Sequence, residues 1–195
     1  MSSVLLVDVD GVIIRPKHKY FSDKLSQDYG IPVESITTFI KGDYKKAAMG
    51  EVDIKEILPP HLKRWGYKGT VDEFLEYWYS SETTIDTQLA EIVAQERDRG
   101  IKTYLVSDNE SGRAEYLMNV VGLKDMFDGG FFSANLGTTK SDPEFFRMII
   151  KRLGVTPTNI EYWDDGVKNV EAARSIGIKA YLYTNVDEFR KQRSL

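Results

Sequence analysis

The chain contains no cysteine and only two histidines, His18 and His61. The first absence excludes disulfides, a thiolate nucleophile and Cys-based zinc sites. Neither histidine falls within a motif, and surface or cap packing is the expected role for both. Basic charge is not in excess: 26 Lys and Arg face 30 Asp and Glu, a formal net charge of −4. That balance speaks against broad nucleic-acid binding or an anionic membrane partner. No apolar run reaches membrane-spanning length and no signal-peptide pattern stands out, so the expectation is a soluble cytoplasmic protein. Internal repeats and low-complexity segments are also missing. What remains is 195 residues, 42% hydrophobic and 12% aromatic, enough for one domain of ordinary size plus a small insertion.

The stretch from Val4 to Ile14 organises the rest. It is an apolar run broken only by Asp8, Asp10 and Gly11. A run so rich in Val, Leu and Ile reads as a strand buried on both faces, as in parallel sheets. Two carboxylates cannot lie unpaired inside such a strand, because burying the charge costs more than the core recovers. They belong at its carboxyl end, where open α/β sheets build ligand sites, with Gly11 allowing a sharp turn or close approach.

After the basic break Arg15-Pro16-Lys17-His18-Lys19, residues 20–84 show helical patterns and no convincing strand. Pro32 opens one helix. Asp53-Ile54-Lys55-Glu56 resembles a capping box, although Pro59-Pro60 should interrupt or kink the helix it opens. Thr70-Val71-Asp72-Glu73 is a full capping box. The aromatic stripe of this block, from Tyr44 to Tyr79, reads as helix-packing core. From Ile85 onward, helices alternate with strands at 101–106, 131–132, 160–163 and 178–183. Asp142-Pro143 caps and opens one of the helices. Alternation of this kind predicts a doubly wound parallel α/β sheet. The helical block is too long for one crossover and reads as an insertion over the carboxyl ends of the strands.

Asp8 and Asp10, then Ser107, Asp108 and Asn109, then Asp164 and Asp165 all come directly after strands, and Lys140 precedes a helix. They therefore converge on one sheet edge. Converging carboxylates repel unless a cation is present. An all-oxygen set suits a hard dication, with Mg²⁺ preferred because it binds through one or two carboxylates plus phosphate and water. A dication, a lysine and a hydroxyl form a receptor for a phosphoryl group, beside a carboxylate nucleophile.

These residues resemble the haloacid dehalogenase (HAD) superfamily of phosphohydrolases. Asp8-Val9-Asp10-Gly11-Val12 is similar to its motif I, Ser107 to motif II, Lys140 with Ser141-Asp142-Pro143 to motif III, and Asp164-Asp165 with Asn169 to motif IV. The resemblance implies a Rossmann-like core of residues 1–14 and 85–195, with residues 15–84 as an all-helical C1-type cap. Asp8 would be the nucleophile and a Mg²⁺ ligand. Asp10 would be the general acid and base, its backbone carbonyl also a ligand. Ser107, with Asp108 and Asn109 in its loop, and Lys140 would hold the phosphoryl oxygens, and Asp164 and Asp165 would hold Mg²⁺. Dehalogenases lack an acid at the Asp10 position, so its presence favours phosphate transfer. One departure stands out: motif II commonly continues with Asn, whereas here Asp108 intervenes before Asn109.

The reading is a Mg²⁺-dependent phosphatase for a small phosphorylated metabolite, with a sugar phosphate the best guess, acting through an aspartyl-phosphate. A phosphosugar mutase is the enzymatic alternative. A receiver-like phosphoacceptor or a non-catalytic binding protein is the alternative of another class. Lys17, His18 and Lys19 read as a solvated linker, Lys41, Lys45 and Lys46 around Tyr44 as an exposed helix face, and Asp142 as a helix cap.

Overall fold

A computed structural model describes residues 3–15 and 21–193; Lys17, His18 and Lys19 lie outside them. The first strand, β1 (Val4–Asp8), is buried along its whole length. Its side chains alternate between two cores, as the two-residue period of a strand requires. Leu5 and Val7 join one hydrophobic cluster, Val4 and Leu6 the other. A two-residue strand, β2 (Ile14–Arg15), comes after it.

Five helices come next: α1 (Phe21–Tyr29), α2 (Val33–Lys41), α3 (Tyr44–Ala48), α4 (Ile54–Trp65) and α5 (Val71–Ser81). They enclose a third core of their own, built on Phe39, Leu58, Phe74 and Trp78. The Thr70–Glu73 capping box forms in both directions. Asp53 caps α4 through the Lys55 N–H. Contrary to the sequence expectation, α4 runs unbroken through Pro59 and Pro60. Ile54, Leu58 and Leu62 are buried on the face that packs into the helical core. That burial offsets the backbone hydrogen bonds the prolines forgo.

A second departure lies at the edge of this block. Thr84–Ile85 is not helical but forms strand β3, antiparallel to β2, pairing Ile14 with Ile85 and Arg15 with Thr84. The block thus leaves and re-enters the rest of the chain through one two-stranded ribbon. Asp86 then caps α6 (Thr87–Asp98).

The remaining elements are β4 (Lys102–Ser107), α7 (Ser111–Glu115) continuing into a π-helical turn at Tyr116–Val120, α8 (Leu123–Met126), β5 (Gly130–Phe132), α9 (Ser133–Leu136), α10 (Pro143–Leu153), β6 (Ile160–Asp164), α11 (Val167–Arg174), β7 (Lys179–Leu182) and α12 (Val186–Gln192). The sheet runs β5-β4-β1-β6-β7, with every pairing parallel. Clusters on both of its faces make it doubly wound, with the helical block inserted between β1 and β4. The sequence pattern left α12 unread, although its Asn185 cap and fully buried Phe189 secure it against the sheet.

Candidate active site

Register places the first two carboxylates side by side. Val7 pairs with Trp163, so β1 and β6 end together on Asp8 and Asp164, in the middle of the sheet. Both are buried, and an oxygen of each lies within 4.8 Å of one from Asp165, which remains exposed. Gly11 makes room for this group. Its φ is +89°, and a Cβ there would stand 2.2 Å from Asp165 Oδ2.

Lys140 reaches into the same place from the turn before α10. Its ammonium donates to Asp8 Oδ1 and to Asp164 Oδ2, the latter at 2.8 Å. Burial alone would lower its pKa, but the two carboxylates overrule it and hold the lysine above its ordinary value. The carboxylates share this cation unequally. Asp164 also accepts from the Tyr162 hydroxyl, from Gly166 N–H at 2.6 Å and from Asn169 Nδ2 at 3.0 Å. Burial raises its pKa, yet Lys140 and these donors bring it below the ordinary carboxylate value. Asp8 accepts from Lys140 and from Val9 N–H at 2.7 Å. For it burial dominates, Lys140 pulls back, Asp164 adds to the rise, and the result lies well above the ordinary value. Partial desolvation of its carboxylate and the Asp164 charge push Asp165 up as well. A hard dication fits this donor set of three converging carboxylates, because it would relieve their mutual repulsion.

Asp10 points elsewhere. Its side chain is 48% exposed, with Oδ2 accepting from Asn109 Nδ2 at 2.8 Å and Oδ1 from Arg113 Nη2 at 3.4 Å. The same Asn109 nitrogen donates to Ser107 Oγ at 2.7 Å. Ser107 therefore accepts from Asn109 and keeps its own proton to donate.

Asp108, the departure from the motif II pattern, accepts from Lys140 N–H at 2.9 Å. Its side chain thus pins the Lys140 turn, and burial raises its pKa against the pull of Lys140. As an acceptor engaged with that turn, this carboxylate offers no donor to an anion; only its backbone N–H could. Asp142 caps α10 through Glu144 N–H. His61 packs on Phe39 and Trp65 and bonds Asp43. Lys41, Lys45 and Lys46 are exposed on the helical block, and it is Tyr44 whose hydroxyl reaches Asn109 Oδ1 at 3.3 Å.

Next to Asp10, the helical block and the sheet edge enclose a cavity of about 190 Å³, lined by Asp10, Tyr44, Trp78, Tyr79, Glu82, Asp108, Asn109 and Arg113. A larger open cleft, about 770 Å³, lies beyond Tyr79 and Glu110 and touches none of Asp8, Asp10, Asp164 or Asp165. It is the smaller cavity, not the larger cleft, that adjoins Asp10. Sequence reasoning did not find Arg113, Tyr162, Trp78 or Glu82. Arg113 sits one helical turn into α7 with nothing around it in the sequence to mark it.

The family profile of haloacid dehalogenase-like hydrolases matches residues 3–177. A phosphorylated carbohydrates phosphatase from Thermotoga maritima is 24% identical over 184 residues, 90% of this chain and 82% of that protein. A D-ribitol-5-phosphate phosphatase from Bacteroides thetaiotaomicron is 24% identical over 65% of this chain and 64% of its own length. Among solved structures, a HAD family enzyme from Bacteroides thetaiotaomicron, crystallised with magnesium and inorganic phosphate, superposes with a TM-score of 0.80. It covers 94% of this chain and 95% of its own, at 18% identity. Among the described residues, no helix is long and apolar enough to cross a membrane. With its motifs on the strand ends of a shared fold and the family profile covering most of its length, this chain belongs to the haloacid dehalogenase-like hydrolases.

Proposed function

We propose that the protein is a Mg²⁺-dependent phosphatase that hydrolyses a small phosphomonoester of an uncharged sugar or polyol through an aspartyl-phosphate. The observation that carries this reading is the separation of two carboxylates. Asp8 is buried on Lys140, while Asp10 stands half-exposed at the mouth of the small cavity. A halide leaves without a proton, whereas an alkoxide needs one. A second carboxylate aimed at the leaving-group side therefore favours phosphate esters.

In the first step an Asp8 oxygen attacks phosphorus, the bond from phosphorus to the ester oxygen breaks, and Asp10 gives its proton to that oxygen. In the second, water attacks phosphorus, the bond to Asp8 breaks, and Asp10 takes the water proton. Lys140 and the Ser107 hydroxyl hold the phosphoryl oxygens, as donors preset for charge that spreads in the transition state. Asp8, Asp164 and Asp165 would hold Mg²⁺, with the Asp10 carbonyl completing the set as in the resembling family, and the ion would neutralise charge on the phosphoryl group.

The cavity limits the leaving group. At about 190 Å³ it lies below the range of roughly 300–1,000 Å³ usual for drug-sized ligands. Three carboxylates line it, and its one arginine is already hydrogen-bonded. Trp78 and Tyr44 offer faces for the C–H side of a polyol. Phosphate release should be measured over neutral sugar and polyol phosphates, phosphorylated acids, nucleotides and p-nitrophenyl phosphate, with Mg²⁺ and with EDTA. Neutral phosphosugars are expected to exceed phosphorylated acids by at least about tenfold in kcat/KM, since juxtaposed like charges cost several kcal/mol. EDTA is expected to stop release. Release unaffected by EDTA, or a preference for anionic leaving groups, overturns the reading.

Gly11 gives a second check on the metal site. Gly11→Ala forces a left-handed φ on alanine and drives its Cβ into the Asp165 carboxylate. The half-saturating Mg²⁺ concentration is expected to rise about tenfold, a typical effect of disturbing the support of a metal ligand. A Mg²⁺ titration of activity reads this directly, and an unchanged midpoint would remove Asp165 from the ligand set.

A further inference from the structure

The two oxygens of Asp10 are held by two different residues, Asn109 in the loop after β4 and Arg113 in α7, and each of them is itself bonded to the helical block. Oδ2 accepts from Asn109, whose carbonyl oxygen accepts from the Tyr44 hydroxyl of α3. The Asn109 amide nitrogen faces both Asp10 Oδ2 and Ser107 Oγ, which leaves its oxygen for Tyr44. Oδ1 accepts from Arg113, whose guanidinium also donates to the Tyr79 carbonyl at 2.7 Å and the Glu82 carbonyl at 2.6 Å. Both carbonyls lie at the end of the helical block, just before β3.

We infer that Arg113 and Tyr44 are positioning residues for Asp10, setting the direction in which it delivers a proton to the leaving oxygen. This rests on the phosphatase reading. Arg113 is only 3% exposed, so its charge is neither spent on solvent nor open to the phosphoryl group. Two short bonds to backbone carbonyls fix the plane of the guanidinium, and the longer third bond passes that constraint to Asp10. A flexible, half-exposed carboxylate would otherwise sample several rotamers. A misplacement of about 1 Å in such a group costs on the order of 10²-fold in rate. Arg113 and Tyr44 act through Asp10 and Asn109 rather than on the transferred phosphoryl group.

Positioning of a proton donor has a signature that simple loss of packing lacks. The value of kcat/KM reports steps up to departure of the leaving group. An alkyl phosphate needs its leaving oxygen protonated, whereas p-nitrophenolate leaves with little help. General acid catalysis contributes about 10²–10⁴-fold where it is needed. The quantity to measure is therefore kcat/KM for the best sugar phosphate divided by kcat/KM for p-nitrophenyl phosphate, in the wild type, Asp10→Asn, Arg113→Gln, Arg113→Lys and Tyr44→Phe.

Asp10→Asn is expected to lower this ratio by about 10²-fold or more. Arg113→Gln should lower it by roughly tenfold or more, with partial recovery in Arg113→Lys, and Tyr44→Phe by several-fold, each a fraction of the full loss of the acid. In an Asp10→Asn background, adding Arg113→Gln should leave the ratio where it is, because residues that act as one unit are not additive. Should Arg113→Gln fail to fold, Tyr44→Phe decides, since it removes one hydroxyl from the second line of contact. Equal losses on both substrates, or an undiminished ratio in Tyr44→Phe and the Arg113 variants while Asp10→Asn still loses it, overturn the inference and leave the phosphatase reading standing. A wild type that hydrolyses no phosphomonoester overturns both.

Discussion

Asp8→Asn is expected to abolish turnover, by about 10⁴-fold or more, because in the proposed mechanism it removes the group that forms the covalent intermediate. The same substitution should leave the protein at least as heat-stable as the wild type in EDTA. The native structure holds the Asp8 proton more tightly than an unfolded chain does, since burial and Asp164 outweigh Lys140. As pH rises past the ordinary carboxylate range, the ionised group therefore counts increasingly against the fold. Asparagine keeps an oxygen for Lys140 and Val9 N–H and removes the buried charge. Metal inverts the comparison. A ligand that binds only the native state at 100 times its Kd adds about 2.7 kcal/mol. At roughly 2–4 °C per kcal/mol for a chain of this size, that is about 5–10 °C in Tm for the wild type and less for the variant. Thermal melts at pH 7.5 with EDTA and with Mg²⁺, alongside phosphate release, check both halves. A variant that melts well below the wild type in EDTA would make Asp8 a structural residue rather than a nucleophile held at a cost to stability.

That conflict between burial and charge is also why the centre of the site was legible in the sequence. Carboxylates interrupting an apolar strand have no reading except a strand end with a purpose, and Asp8, Asp164 and Lys140 do meet there. The alternation of strands and helices carried the fold in the same way, because periods of two and of 3.6 residues are local. Boundaries were less readable. Ile85 matches a helical stripe on paper, yet it pairs with Ile14 across 71 positions of chain. Pro59 and Pro60 carry an expected break that the burial of Ile54, Leu58 and Leu62 overrides. In both cases tertiary contact defeats local preference.

The surroundings of Asp10 were not legible, for a related reason. Arg113, Trp78 and Glu82 belong to different elements, and only the closing of the helical block over the sheet edge brings them to Asp10. Each taken alone reads as an ordinary helix residue. Asp108 shows the same limit from the other direction. By sequence it is a departure from the motif II pattern, and the structure turns it onto Lys140 N–H. The carboxylates and the lysine at the strand ends are thus written into motifs, while the cavity beside Asp10 is written into packing.

Lys140→Met should damage the fold as well as the reaction. Lys140 is 5% exposed and bonds both Asp8 and Asp164, so its loss leaves two buried carboxylates without their shared cation. Removing one partner of a buried ion pair typically costs about 3–5 kcal/mol, here about 6–20 °C in Tm. The loss should depend on pH in a definite direction. With the lysine present, Asp164 has a lowered pKa, so its stabilising share is in place above the ordinary carboxylate range and fades as pH falls through the lowered value. Without the lysine, the uncompensated carboxylates take up protons more readily, so acid relieves the variant while it weakens the wild type. Urea unfolding of both proteins in EDTA at pH 7.5 and pH 5 should therefore show a gap that narrows on acidification. Mg²⁺ should restore part of the stability at pH 7.5 by supplying positive charge to the same oxygens. Activity should stay at least about 10²-fold down even with Mg²⁺, because a donor to the phosphoryl oxygens is gone. A gap that is independent of pH would mean that the lysine stabilises by packing its stem. Recovery of full activity in Mg²⁺ would remove Lys140 from the phosphoryl receptor.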